Sequence, residues 1–187
     1  MIYIILSAAR KENTVSPENI FRIQLVFGYI ACLLFFSAYF LPRLKEMDSF
    51  QAHRAIATLH SFRFFGLVFL LPGVVGPNLP AGFTTAAAYG DFMTGVLAIF
   101  ALLAASMRLR PVFWFFVVAF QFVGTGDLIL AYYHAMKFGV PFLAGQLGAA
   151  YVIPILYVPM LMITHVMGLY WLMRPRPQAS GVLAGQR

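Results

Sequence analysis

The sequence predicts an all-α fold, a polytopic transmembrane bundle of about five spanning helices, and three observations carry that prediction. Of 187 residues, 61% are hydrophobic and only 10% charged, with mean hydropathy +0.83, whereas a soluble domain holds about 45–50% apolar and about 25% charged residues. The apolar residues fall into runs near the roughly 20 residues that a helix needs to cross a bilayer. The charged residues lie in short groups between those runs. A disordered chain is excluded as well, because 20 Phe and 9 Tyr carry more apolar surface than a solvated coil tolerates.

Five runs qualify as spans, in one bundle over residues 20–173. The first covers about Ile20 to Leu41 and is started by Ser16-Pro17-Glu18, where Ser16 can cap free N–H groups and Pro17 suits the first helical position. The second runs from about Ala55 to Val75 and stops at the breaker PGVVGPNLP. The third, fourth and fifth cover about Phe83 to Met107, Val112 to Met136 and Leu147 to Met173. Pro154 and Pro159 each remove a backbone donor from the fifth, which predicts a kink in its outer half. Most links are short, so successive helices should be antiparallel neighbours. Residues 1–19 have an apolar stretch too short for a signal peptide and are expected to be retained, while 174–187 read as a disordered tail.

Basic loops stay on the cytoplasmic side. One side collects eight basic residues (Arg43, Lys45, Arg54, Arg108, Arg110, Arg174, Arg176 and Arg187) and the other four (Arg10, Lys11, Arg22 and Lys137). The expected location is a bacterial inner membrane with the C-terminus cytoplasmic. The net charge of +7 is thereby read as topology, with membrane lipids and no nucleic acid as partners. Cys32 is the single cysteine, which excludes an intrachain disulfide or a thiolate metal site, and no metal is expected. Phosphate-loop, HExxH, GxSxG and EF-hand patterns are absent, and the sequence leaves open whether the protein is an enzyme.

Ionisable groups at membrane depth are costly, so each one within a span is a candidate for function. Arg63 is expected to pair with Asp127, whose helical lean is toward the bundle centre, with Asp91 as second partner. An Arg–carboxylate pair there would be bidentate; the alternative is that Arg63 snorkels to the headgroups. Asp127 shares a face with Gly124, Ala131 and His134, and Asp91 sits between Gly90 and Gly95. His165, beneath the double proline, completes a candidate ligand or proton site of Arg63, Asp91, Asp127 and His165. His134 reads as a wet interfacial residue, and His60 is expected to lean toward the cytoplasmic surface. His60 and His165 lie at similar depth, the minimal arrangement for b-haem, although no cofactor is the leading expectation.

The segments HSFRFFGLVFL, NLPAGFTTAAAYGDFMTG, GTGDLILAYYH and VIPILYVPMLMITH, in this order, resemble a group of small uncharacterised bacterial multi-pass membrane proteins. The matching positions are Arg63, Gly66, Pro80, Phe83, Gly90, Asp91, Asp127, Pro154, Pro159 and His165, over about Leu59 to Trp171. The resemblance implies an inner-membrane bundle and brings no activity. Four functions stand as expectations, of which a membrane-embedded enzyme on a lipid substrate is the last. The first is a proton-linked site that binds or moves a small solute or protons. The second is an accessory or assembly subunit of a larger membrane complex or homo-oligomer, with the same charges as structural glue. The third is a haem b or quinone redox protein.

Overall fold

Ser16 opens the first helix as the sequence suggests. Its backbone is extended (φ −61°, ψ 146°), its hydroxyl accepts from the Asn19 N–H at 3.3 Å, and Pro17 follows. The structure, a computed structural model, describes residues 15–173. These form α1 (Pro17–Glu46), α2 (Ser49–His60), α3 (Ala81–Ser106), α4 (Arg110–Lys137) and α5 (Ile153–Met173), with 3₁₀ stretches at Ser61–Leu70 and Val140–Tyr151. No β-strand occurs among the described residues, and the fold is an all-α transmembrane bundle. The expectations for the first residues, up to 14, and for the tail 174–187 lie outside the described residues.

Four helices, α1, α3, α4 and α5, are long and apolar enough to cross a membrane. The second predicted span is composite and shifted toward the N-terminus. It starts at Ser49, where the Asp48 carboxylate caps the Gln51 N–H at 2.8 Å, and ends at Leu70, before Pro72. Its α part and 3₁₀ part together reach roughly 38 Å, at about 1.5 and about 2.0 Å per residue. In the 3₁₀ part the buried residues are Arg63, Gly66 and Phe69, a period of three that matches three residues per turn.

The fifth span is shorter than its apolar run suggests. Gly148 takes φ 53°, ψ −131°, which breaks the helix, and α5 resumes at Ile153. Pro154 therefore stands in the first turn and kinks nothing. Pro159 acts differently. A proline ring collides with the carbonyl four residues earlier, and here that carbonyl, of Ile155, lies within a π-turn over Ile153–Tyr157. In α1 the π-turn Phe36–Phe40 stands in the same register to Pro42. Widening the helix ahead of each proline removes the clash. The Ile155 carbonyl faces Gly28 of α1, where any Cβ would collide with it.

α3 is the central helix, packed on α4 and on the Ser61–Leu70 stretch. After Phe83 and Thr84 in its first turn, its buried face is made of small residues, Ala87, Ala88, Gly95, Ala98, Ala101 and Ala104, interrupted by Asp91 and Thr94. Its large residues, among them Tyr89, Phe92, Phe100 and Leu103, point outward. Small residues inside and large ones outside is the arrangement that a lipid solvent favours, because close backbone approach replaces the hydrophobic effect between helices. α3 passes to α4 through a Schellman turn, with Leu109 N–H on the Ala104 carbonyl at 2.9 Å and Arg108 N–H on the Ala105 carbonyl at 3.1 Å. Two apolar clusters result. One gathers Phe21, Phe69, Phe83, Val140 and Leu147 at the Lys137 end of α4, and the other gathers Ile56, Phe113, Val117 and Phe120 at its Arg110 end. The polar residues lie between them.

Gly28→Leu should lower the denaturation midpoint by an amount equivalent to about 1–3 kcal/mol, the usual cost of overpacking a closed contact. A thermal melt in detergent measures it, and an unchanged midpoint would mean that α1 does not meet α5 at Ile155.

Candidate functional site

Arg63 is fully buried, and its guanidinium is divided among three helices. Nε donates to Asp91 Oδ1 of α3 at 2.7 Å, and Nη2 donates to Asp127 Oδ2 of α4 at 2.5 Å. Nη1 donates to His165 Nε2 of α5 at 3.1 Å, with the Gly124 carbonyl at 3.4 Å. Glycine makes this convergence possible. A Cβ on Gly66 would collide with Asp91, one on Gly90 with Asp127, and one on Gly124 would stand 2.5 Å from His165 Nε2.

The hydrogen bonds settle the state of both histidines at this level. Because Arg63 can only donate, His165 Nε2 accepts, so its proton is on Nδ1, which donates to Gln121 Oε1 at 2.7 Å. His165 is therefore a neutral imidazole in this arrangement. The Thr164 hydroxyl donates to the carbonyls of Met160 and Leu161, at 3.0 and 2.9 Å, so His60 Nε2 donates to Thr164 at 3.0 Å. His60 Nδ1 and Gln121 Nε2 are left buried without a partner. The rings of His60 and His165 stack with centroids 4.0 Å apart. In this arrangement each Nε2 is engaged, that of His60 with Thr164 and that of His165 with Arg63.

An apolar cavity of about 150 Å³ reaches the charges from the Lys137 side. Phe21, Leu25, Phe69, Phe83, Ile153 and Val158 wall it, and Asp91 and Asp127 line its floor. The two carboxylate side chains keep 7% and 12% of their exposure while Arg63 keeps none. The cavity thus meets the carboxylate side of the ion cluster and not the guanidinium.

The family model of a domain of unknown function, DUF8737, matches residues 20–173. The chain belongs to this family. No curated protein and no solved structure matches it.

Within this family member, Arg63, Asp91, Asp127 and His165 meet at one point. Several finer expectations are corrected. The Arg63 contact is not bidentate to one carboxylate; its fork is spread over two, because Gly66 lets Asp91 come as close as Asp127. Arg63 does not snorkel, since its whole side chain is sealed. His60 does not lean to the surface. It is fully buried against His165 and Phe120, because the 3₁₀ turn sets His60 on the same side as Arg63 and Gly66. His134 is half-buried between Tyr133 and Phe138. Residues that sequence reasoning missed include Gln121, Thr164 and His53. His53, fully buried, has Nδ1 2.7 Å from the Ser49 carbonyl and Nε2 3.2 Å from the Gly168 carbonyl. Gln121 and Thr164 carry no charge, so an inventory of ionisable groups passes over them; the signal was the single amide in VVAFQFVG, one turn before Gly124.

Removing Arg63 alone strands two buried carboxylates. Arg63→Met should cost about 3–5 kcal/mol in unfolding experiments, and adding Asp91→Asn and Asp127→Asn should recover much of that loss. A triple variant as unstable as the sum of the separate changes would show that the three side chains are not coupled.

Proposed function

We propose that this is a bacterial inner-membrane protein of five spans, with its C-terminus cytoplasmic, whose buried cluster of Arg63, Asp91, Asp127 and His165 binds a small solute or protons. The observation that supports this is an imbalance of charge beside a cavity. One guanidinium and two carboxylates, with a neutral His165, leave one negative charge over when all three are ionised. Structural glue is best served by a balanced set, because an uncompensated charge in a low-dielectric interior is expensive. A proton on either carboxylate, or a cation in the cavity, restores neutrality. Asp91 and Asp127 are the groups that face the cavity, with Tyr132 beside them and Arg22 at the rim. His165 and Gln121 stand behind Arg63, away from that opening.

The orientation rests on the basic residues. Arg43 and Lys45 close α1, and Arg108 and Arg110 join α3 to α4, whereas Lys137 closes α4 at the opposite end. Reporter fusions after Arg110 and after Lys137 should lie on opposite sides.

Infrared titration of the reconstituted protein tests the proton part directly. The wild type should develop a protonated-carboxyl band as the pH falls, and Asp127→Asn or Asp91→Asn should remove or displace it. Folded wild-type protein that develops no such band would sink the proton part of the proposal.

A further inference from the structure

We propose that the cavity above Asp91 and Asp127 is a binding site for a small organic cation, an ammonium group on an apolar body about the size of a single ring. This rests on the reading above and names its solute class. Size is the first argument. The cavity measures about 150 Å³, the size of an engineered apolar cavity that holds benzene. Its walls, Phe21, Leu25, Phe69, Phe83, Ile153 and Val158, offer a ring only apolar contact.

The floor selects the charge. It presents the two carboxylates, while four of the five Arg63 N–H groups are directed at Asp91, Asp127, His165 and the Gly124 carbonyl, and none of the side chain is exposed. A carboxylate or phosphate entering the cavity would meet two like charges and no exposed guanidinium N–H. A neutral ring would leave the surplus negative charge unmatched. An ammonium supplies the missing charge and up to three N–H donors for charge-assisted hydrogen bonds. The rim does not oppose it: Arg22 is paired with Glu18 at 2.5 Å, and the Tyr132 hydroxyl is engaged with Tyr29 at 2.5 Å.

Three probes of one shape test this on the full chain in nanodiscs: benzylamine, benzyl alcohol and benzoate, each titrated against the thermal midpoint. Benzylamine should raise the midpoint saturably and bind at least about tenfold more tightly than benzyl alcohol, as a charge-assisted hydrogen bond implies. Benzoate should give no saturable shift. Asp127→Asn should erase the preference for amine over alcohol, and Ala131→Phe, which fills the cavity, should abolish both shifts. Should Asp127→Asn fail to fold, Asp91→Asn and the three-probe ranking on the wild type decide. Equal affinity for amine and alcohol, a preference for benzoate, or a benzylamine shift that survives Ala131→Phe would overturn the inference. If the wild type shows the carboxyl band of the preceding experiment but no amine preference, this inference falls and the proton reading stands. An amine preference without the band removes the proton reading and leaves the cation site standing.

Discussion

A single guanidinium, sealed from solvent and held by two carboxylates and an imidazole, is the constraint around which this bundle is arranged. Bringing such a charge to membrane depth costs several kcal/mol after relaxation, and only close, well-directed partners offset it. Those partners come from α3, α4 and α5, so satisfying Arg63 fixes the mutual position of three helices. The glycines follow from that requirement. Gly66, Gly90 and Gly124 each remove a side chain from the volume that a carboxylate or imidazole occupies. Arginine is suited to the position because its planar fork donates in several directions at once; a lysine ammonium could not reach the same set from one point.

The 3₁₀ stretch is part of the same solution. At three residues per turn, His60, Arg63, Gly66 and Phe69 fall on one line, so a single strip holds the stacked imidazole, the cation, the gap for Asp91 and a wall of the cavity. An α-helix would turn these residues progressively away from one another. Long 3₁₀ runs are uncommon because their hydrogen bonds are poorer, and here the stretch carries the residue whose side-chain partners come from three separate helices.

The start of α1, the identity of the buried charges and their meeting in one place are legible in the sequence, because capping chemistry and the cost of burying charge are local and strong. Ser16 and Pro17 start α1 where their residue types imply. Other features are hidden for definite reasons. HSFRFFG has a three-residue period that a template of 3.6 residues per turn does not detect, and the lean of a helical side chain toward its own N-terminus, which implies a surface-facing His60, takes no account of that period. Apolar composition across 147–173 conceals the break at Gly148, since only its φ distinguishes it from a helical glycine. Gln121 and Thr164 orient the two histidines without being ionisable. Pro159 implies a disturbed helix by residue type alone, but not its form, a π-turn over Ile153–Tyr157 that presents the Ile155 carbonyl to Gly28.

The site is also asymmetric along the helix axes, and this bears on what it can do. Toward the Lys137 end an apolar cavity reaches the carboxylates. Toward the Arg110 end Phe113, Val117 and Phe120 are fully buried and close the bundle. The polar side chains on that closed side, His165, Gln121, His60 and Thr164, are joined to the charges by hydrogen bonds or ring stacking rather than by space. Among the described residues, the cavity that touches the carboxylates lies on the Lys137 side of Arg63. Passage through to the other side would require the chain from Arg63 to Gln121 to change its donors and acceptors, because His165 can accept a proton at Nε2 only after Arg63 Nη1 has turned away. Arg63 would release that contact most readily when its hold on the carboxylates changes, which is what neutralising one of them, by a proton or by a cation in the cavity, does. In the proposed reading, the charge imbalance at the cavity floor and the tautomer behind it are joined through Arg63, which touches both.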